Sequence, residues 1–215
     1  MGSTRLPGKV LRDLNGKTLL GHIVFRLQMK KNDASVIIAT SILDQDDVIE
    51  KFCQDNNVIC YRGSESNVLE RYYLCAKEYG FDNIVRMTAD NPFPDVEELD
   101  RLIEFHIKNG YDFSECLTQL PIGVGMEIFT YKCLEDNMKN SYMPHHFEHV
   151  DEYVLEHKQK YRYGIMPVPY EKCYPHIRLT VDTPEDYKKA CYIFNNATDE
   201  YVSTMEAIKL CSEYV

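Results

Sequence analysis

Short β-branched runs recur along this chain with an amphipathic helical pattern between them, and that alternation limits the fold more than any other feature. Val36-Ile37-Ile38-Ala39-Thr40, Val58 to Tyr61 and Ile84 to Thr88 are continuous apolar runs, the pattern of strands buried on both faces. Thr18 to Lys30 precedes them as a helix, with Leu20, Ile23, Val24 and Leu27 on one face. Asp46 to Asn56 follows the first run, with Val48, Ile49, Phe52 and Cys53 expected inward. Ser66 to Tyr79 follows the second and stops at Gly80; Val96 to Asn109 follows the third and stops at Gly110. Glycine ends helices there because it accepts the left-handed backbone of a helix terminus. Strands joined through helices by short connections imply an α/β fold: an open, mostly parallel sheet with helices on both faces.

Beyond Gly110 the rhythm loosens. Tyr111 to Cys116 and Glu127 to Thr130 read as strands around a loop holding Pro121, Gly123 and Gly125. Lys132 to Lys139 and Pro144 to His157 read as helices, Tyr161 to Val168 and Ile177 to Val181 as strands. Pro184 to Asn195 and Ser203 to Tyr214 close the chain as helices. With no repeat or linker, residues 1–215 form one domain, of which about 111–170 make a lobe over the sheet edge. The front is unusual. A loop, Gly2-Ser3-Thr4-Arg5-Leu6-Pro7-Gly8-Lys9, runs almost directly into a helix, where a parallel α/β fold has a strand before such a loop. The sheet is therefore expected to lack its first strand.

Composition excludes some classes. The formal charge of −10 argues against a nucleic-acid surface, though not against one anionic ligand held by local cations. No apolar run has the length of a membrane span, and no signal-peptide pattern opens the chain, so a cytoplasmic protein away from membranes is expected. The eight cysteines form no C-x-x-C pair, and most sit in apolar patterns, as reduced core thiols do.

In an open parallel sheet, ligands bind beyond the carboxyl ends of the strands. That rule gathers Arg62, Asp90 and Asp182 on one rim, together with Arg5 and Lys9 of the opening loop. Gly2 and Gly8 allow close backbone approach to phosphates, and the cations match their charge. Two carboxylates from separate strands suit magnesium, which takes one or two and completes its shell with water and phosphate oxygens. Each element also has a plainer reading. The Pro7-Gly8 pair can be a surface turn, and the loop is not a Walker A motif. Asp182 can assist the cap of the helix at Thr183-Pro184, and Asp90 can start a turn. His145 and His149 stand at i, i+4, but no Glu follows His145, so a metalloprotease-type zinc site is disfavoured against packing.

Four stretches, taken together, carry a resemblance: Gly2 to Lys9, Arg62 to Tyr72, Arg86 to Phe93 and His176 to Asp186. They resemble the sugar cytidylyltransferases, in the branch of the spore coat polysaccharide biosynthesis protein SpsF, which is similar to CMP-Kdo synthetase and acylneuraminate cytidylyltransferase. The resemblance implies a Rossmann-like nucleotidyltransferase sandwich. It implies transfer of CMP from CTP to an acidic sugar with release of pyrophosphate, for surface or spore-coat polysaccharide synthesis, with magnesium and in a homodimer. By the same likeness Arg5 and Lys9, with Gly2 and Ser3, bind triphosphate. Asp90 and Asp182 hold the metal. Arg62, Ser64 and Arg71 lie near the nucleotide, and Pro121, Gly123 and Glu127 face the sugar. Thr180 stands where sialic-acid enzymes tend to have Asp, and Asp90 is a feature of the Kdo-like branch; both weigh against sialic acid. Family members also carry a strand and a Gln-Ala-Arg stretch ahead of the loop. Their absence here leaves a second expectation open, a truncated, inactive homologue acting as a binding or partner subunit.

Overall fold

The computed structural model describes residues 1–214. After the opening loop, β1 (Asp13–Leu14) and β2 (Lys17–Thr18) form a small antiparallel hairpin. Its turn is Asn15-Gly16, both at positive φ, the pair a two-residue hairpin favours. Thr18 then caps α1 (Leu19–Leu27) by accepting the Gly21 amide. β3 (Ile37–Ser41), α2 (Asp47–Asp55), β4 (Ile59–Gly63), α3 (Val68–Tyr79), β5 (Asn83–Arg86) and α4 (Val96–Asn109) follow in the expected alternation. Side-chain caps from Asn67 and Asp95 start α3 and α4, and Gly80 and Gly110 end them in the left-handed region. The looser part contains β6 (Phe113–Glu115), β7 (Glu127–Thr130), α5 (Tyr131–Asn140), α6 (Pro144–Glu148), α7 (Glu152–Glu156) and β8 (Tyr163–Ile165). Helices α8 (Pro184–Asn196) and α9 (Thr204–Glu213) complete the order.

The strands fall into two sheets besides the hairpin. β3 pairs with β4 in parallel, Ile38 opposite Cys60. The larger sheet runs β5-β7-β6-β8. In it β7 is antiparallel to β5 and β6, while β6 and β8 are parallel, so only β7 opposes the common direction. Both faces of this sheet are covered. Ile128 of β7 joins one core cluster with Leu99, Leu102 and Ile193; its neighbour Phe129 joins another with Phe113, Leu134 and Val154. Successive strand residues point to opposite faces, so the two clusters lie on either side.

Between β3 and β5 no strand pairing occurs among the described residues. A cleft of about 580 Å³ separates them, walled by Ile23, Leu27, Val36, Ile38, Val85 and Met87 among others. No helix among the described residues is long and apolar enough to cross a membrane.

Several expectations need correction. Ile177 to Val181 is extended but is not a ladder strand; it makes one isolated bridge, Arg178 with Ile122. Its amides and carbonyls are spent on loops instead, Leu179 N–H donating to Ile122 O and Val181 N–H to Asp90 O. The expected helix from Pro144 to His157 breaks at His149, which is extended (φ −108°, ψ 101°), and so becomes α6 and α7. Tyr161 to Val168 shrinks to the three residues that pair with β6. Val48, expected inward, is 47% exposed on α2.

Candidate active site

The opening loop is anchored by Leu6, which is almost fully buried in the main core. Ser3 Oγ accepts the Leu6 amide at 3.2 Å. Gly8, at φ +67°, turns the chain into a single 3-10 turn that begins with Lys9. From there the Lys9 ammonium donates to Asp90 Oδ2 at 3.0 Å, to Asp182 Oδ1 at 2.9 Å and to the Val181 carbonyl at 2.9 Å. Two carboxylates far apart in sequence thus meet a cation of a glycine-flanked turn.

Asp90 lies in the turn after β5. Its Oδ1 accepts the Thr88 hydroxyl at 2.6 Å, and Thr88 Oγ1 accepts Asn91 Nδ2 at 2.8 Å. The Asp90 carbonyl accepts the Val181 amide at 2.8 Å, which clamps this turn to the Asp182 segment. Asp182 stands just before α8, whose cap is made by Thr183 and Asp186 in a reciprocal box. The cap does not use the Asp182 carboxylate, which faces the rim. Arg178 Nη2 donates to its Oδ2, and Arg5 Nη2 lies 3.5 Å from its Oδ1. Partial burial opposes ionisation of Asp182, but the hydrogen bonds and charges of Lys9 and Arg178 prevail and hold its carboxyl below the usual range.

Gly123 completes the rim. It has φ +92°, and a Cβ there would lie 2.7 Å from the Thr180 amide nitrogen and 2.8 Å from Asn91 Oδ1. The Pro121–Gly123 loop is tied to the same strip, Ile122 N–H donating to Ile177 O and Leu179 N–H to Ile122 O, both at 2.8 Å.

Other residues of the expected set lie apart from the Lys9 centre. The Arg62 guanidinium turns onto α2, pairing with Asp47 at 2.8 Å and Glu50 at 2.6 Å and donating to the Ser41 carbonyl at 2.5 Å. Arg71 donates to the Ser64 carbonyl at 3.0 Å, its Nε is buried without a partner, and the residue lines the cleft between the sheets. Ser64 Oγ accepts the Asn67 amide. Gly2 passes close to Gln45 and Glu65. Glu127 is fully buried on β7, one oxygen on Arg86 Nη1 at 2.7 Å and the other without a partner. Burial pushes its carboxyl up to about 8, against the pull of Arg86. His145 and His146, not His149, share the two oxygens of Glu156 at 2.8 and 2.9 Å. His146 Nδ1 accepts the amides of Tyr142 and Met143, which puts its proton on the nitrogen facing Glu156.

Sequence reasoning missed Arg178. The signal was available: in an extended segment Arg178, Thr180 and Asp182 share a face.

Comparison with known proteins decides the family. The cytidylyltransferase family model matches residues 1–209. This chain belongs to the cytidylyltransferases. The spore coat polysaccharide biosynthesis protein SpsF of Bacillus subtilis is 36% identical to this cytidylyltransferase, over 98% of this chain and 90% of SpsF. A cytidylyltransferase structure from Leptospira borgpetersenii superposes with a TM-score of 0.92 at 32% identity, covering 99% of this chain and 90% of that one. The structure of CMP:2-keto-3-deoxy-manno-octonic acid synthetase complexed with CTP superposes with a TM-score of 0.67, over 90% of this chain and 94% of that one. At 16% identity it shows a shared nucleotidyltransferase fold, Rossmann-like in type. The protein is thus an enzyme of the cytidylyltransferase class.

Proposed function

We propose that this enzyme transfers CMP from CTP to a hydroxyl of an acidic sugar, releasing pyrophosphate, and that Asp90 and Asp182 hold the magnesium ion the reaction needs. The observation that carries the reading is the meeting of both carboxylates on Lys9. Two carboxylate oxygens and the Val181 carbonyl converge on one cationic point, an all-oxygen set of the kind a hard divalent ion takes. When bound, the ion supplies charge for the triphosphate and for the departing pyrophosphate. Arg5 and Lys9 contribute fixed positive charge beside it, and Arg178 keeps the Asp182 carboxylate aimed at the rim. The Gly123 loop, held against Asn91 and Thr180, gives the sugar a wall next to both acids. The work of the chain is positioning and electrostatic stabilisation. The resemblances to SpsF and to the octulosonate synthetase fold support polysaccharide building as the setting. We also infer a homodimer, the assembly that the likeness to sugar cytidylyltransferases implies, which sedimentation at micromolar concentration tests.

The test is pyrophosphate release with acidic sugars across CTP, UTP, GTP and ATP. CTP should lead, and Asp182→Ala should lower turnover by about a hundredfold or more with the fold retained. Undiminished turnover in that variant removes the metal site, and preference for another base overturns the cytidine assignment.

A further inference from the structure

The Lys9 ammonium has three N–H donors, and all three are used: Asp90 Oδ2, Asp182 Oδ1 and Val181 O. The side chain is only 13% exposed. Each acid spends its other oxygen elsewhere, Asp90 Oδ1 on the Thr88 hydroxyl and Asp182 Oδ2 on Arg178. Lys9 thus bridges the two oxygens that point into the shared space, with the Arg5 guanidinium a further 3.5 Å from that of Asp182. A second cation entering that space would stand beside an ammonium within hydrogen-bond reach of the same oxygens. Like charges at such a separation repel, and the site is partly shielded from water.

We propose that Lys9 is a stand-in cation, which holds Asp90 and Asp182 together in the free enzyme and admits the divalent ion only when a triphosphate draws it away. The inference rests on the reading of Asp90 and Asp182 as metal ligands. A triphosphate offers Lys9 a richer set of anionic oxygens than the two carboxylates. Once Lys9 swings to it, no cation bridges the two acids, since Arg178 and Arg5 touch only Asp182, and a divalent ion can take the bridging place. Lys9 has the means to move: it is the first residue of a 3-10 turn that follows Gly8, with Leu6 anchored deeply just before. Metal and nucleotide affinities are then coupled, and by linkage each raises the other equally.

The experiment titrates Mn²⁺ into nucleotide-free protein and counts free ion by electron paramagnetic resonance. The wild type is expected to bind weakly. Lys9→Met keeps the length and removes the charge, and is expected to tighten Mn²⁺ binding at least about tenfold. Lys9→Arg keeps the charge and should stay as weak as the wild type. Thermal unfolding gives a second readout: Lys9→Met should melt lower than the wild type without metal, from the unrelieved repulsion of the two acids, and recover with Mn²⁺. Wild-type binding as tight as that of Lys9→Met, or weaker binding in Lys9→Met, overturns the proposal. If no form binds Mn²⁺ even with CTP present, the metal-site reading itself fails and the stand-in role falls with it.

Discussion

The β3–β4 wing and the four-stranded body are built from the same kinds of residue but held together very differently. The wing's own cluster has only Leu20, Ile49 and Cys53 fully buried, with Ile38, Phe52, Val58 and Cys60 half-buried around them. Ile42, Leu43, Val48 and Ile59 of the same wing are exposed. The body has a cluster on each face of its sheet, with Phe113, Phe129, Leu102, Val124 and Ile193 at essentially zero exposure. Helix α1 belongs to both, since Leu20 packs in the wing while Leu19, Ile23 and Leu27 pack in the body. The lesson is that stability and chemistry are concentrated on one side. Asp90, Asp182 and Gly123 stand on the body, and Lys9 reaches them from a turn whose next residues, Val10 and Leu11, pack on the wing. The site is a tie between a firm half and a soft one.

That contrast can be broken most forcefully in the body. Phe129→Ala removes a buried ring that packs at a tilt against Phe113, 4.7 Å between centroids, and should cost about 3–5 kcal/mol in denaturant unfolding. Native-state amide exchange in that variant should show the gap between wing and body narrowing, because global opening then comes to dominate in both. Next in size is Gly123→Ala. Positive φ and a Cβ pressed on the Thr180 backbone should cost about 1–3 kcal/mol and lower turnover, because the strain falls on the segment that aims Asp182. Retained stability and turnover would mean that the loop yields freely.

Acid sharpens the comparison. His106 of α4 is buried against Ser114, and burial lowers its pKa from 6.5 to about 4. The unfolded chain then binds the extra proton more readily. Stability from neutral His106 is present above pH 6.5 and is lost as pH falls towards about 4. The loss, on the order of 2 kcal/mol, belongs to the body. Melting curves of wild type and His106→Gln between those limits should converge as the pH drops. The smallest effect is expected in the wing. Arg62→Ala removes pairs with Asp47 and Glu50, both well exposed, and should cost no more than about 1 kcal/mol, an amount that salt reduces further.

The sequence was most legible where the signals are local. Gly80, Gly110 and Thr183-Pro184 mark helix ends through their own backbone chemistry, and α3, α4 and α8 lie within a residue or two of expectation. Strands are harder because pairing is not local. Ile177 to Val181 has the composition of a strand, but its hydrogen bonds go to Ile122 and Asp90, and nothing in the run itself announces those partners. The break at His149 has no Gly or Pro to signal it. For the site, the rule of strand carboxyl ends gathers Asp90 and Asp182, and the structure brings both onto Lys9, although the segment before Asp182 is extended without being a ladder strand. The same rule locates the Arg62 backbone at the end of β4 but not its side chain, which the acids of the first turn of α2 attract. Arg178 escaped because it was read as part of a strand and not by the face it shares with Asp182.

One consequence of the cleft between β3 and β5 reaches beyond the active centre. Each lip is a row of peptide donors and acceptors that meets no strand partner among the described residues, while the walls behind are greasy. Edge groups of this kind are open to pairing with any extended segment that reaches them. An extended peptide of alternating apolar character laid along it would gain backbone bonds on both sides and fuse two ribbons into one continuous sheet.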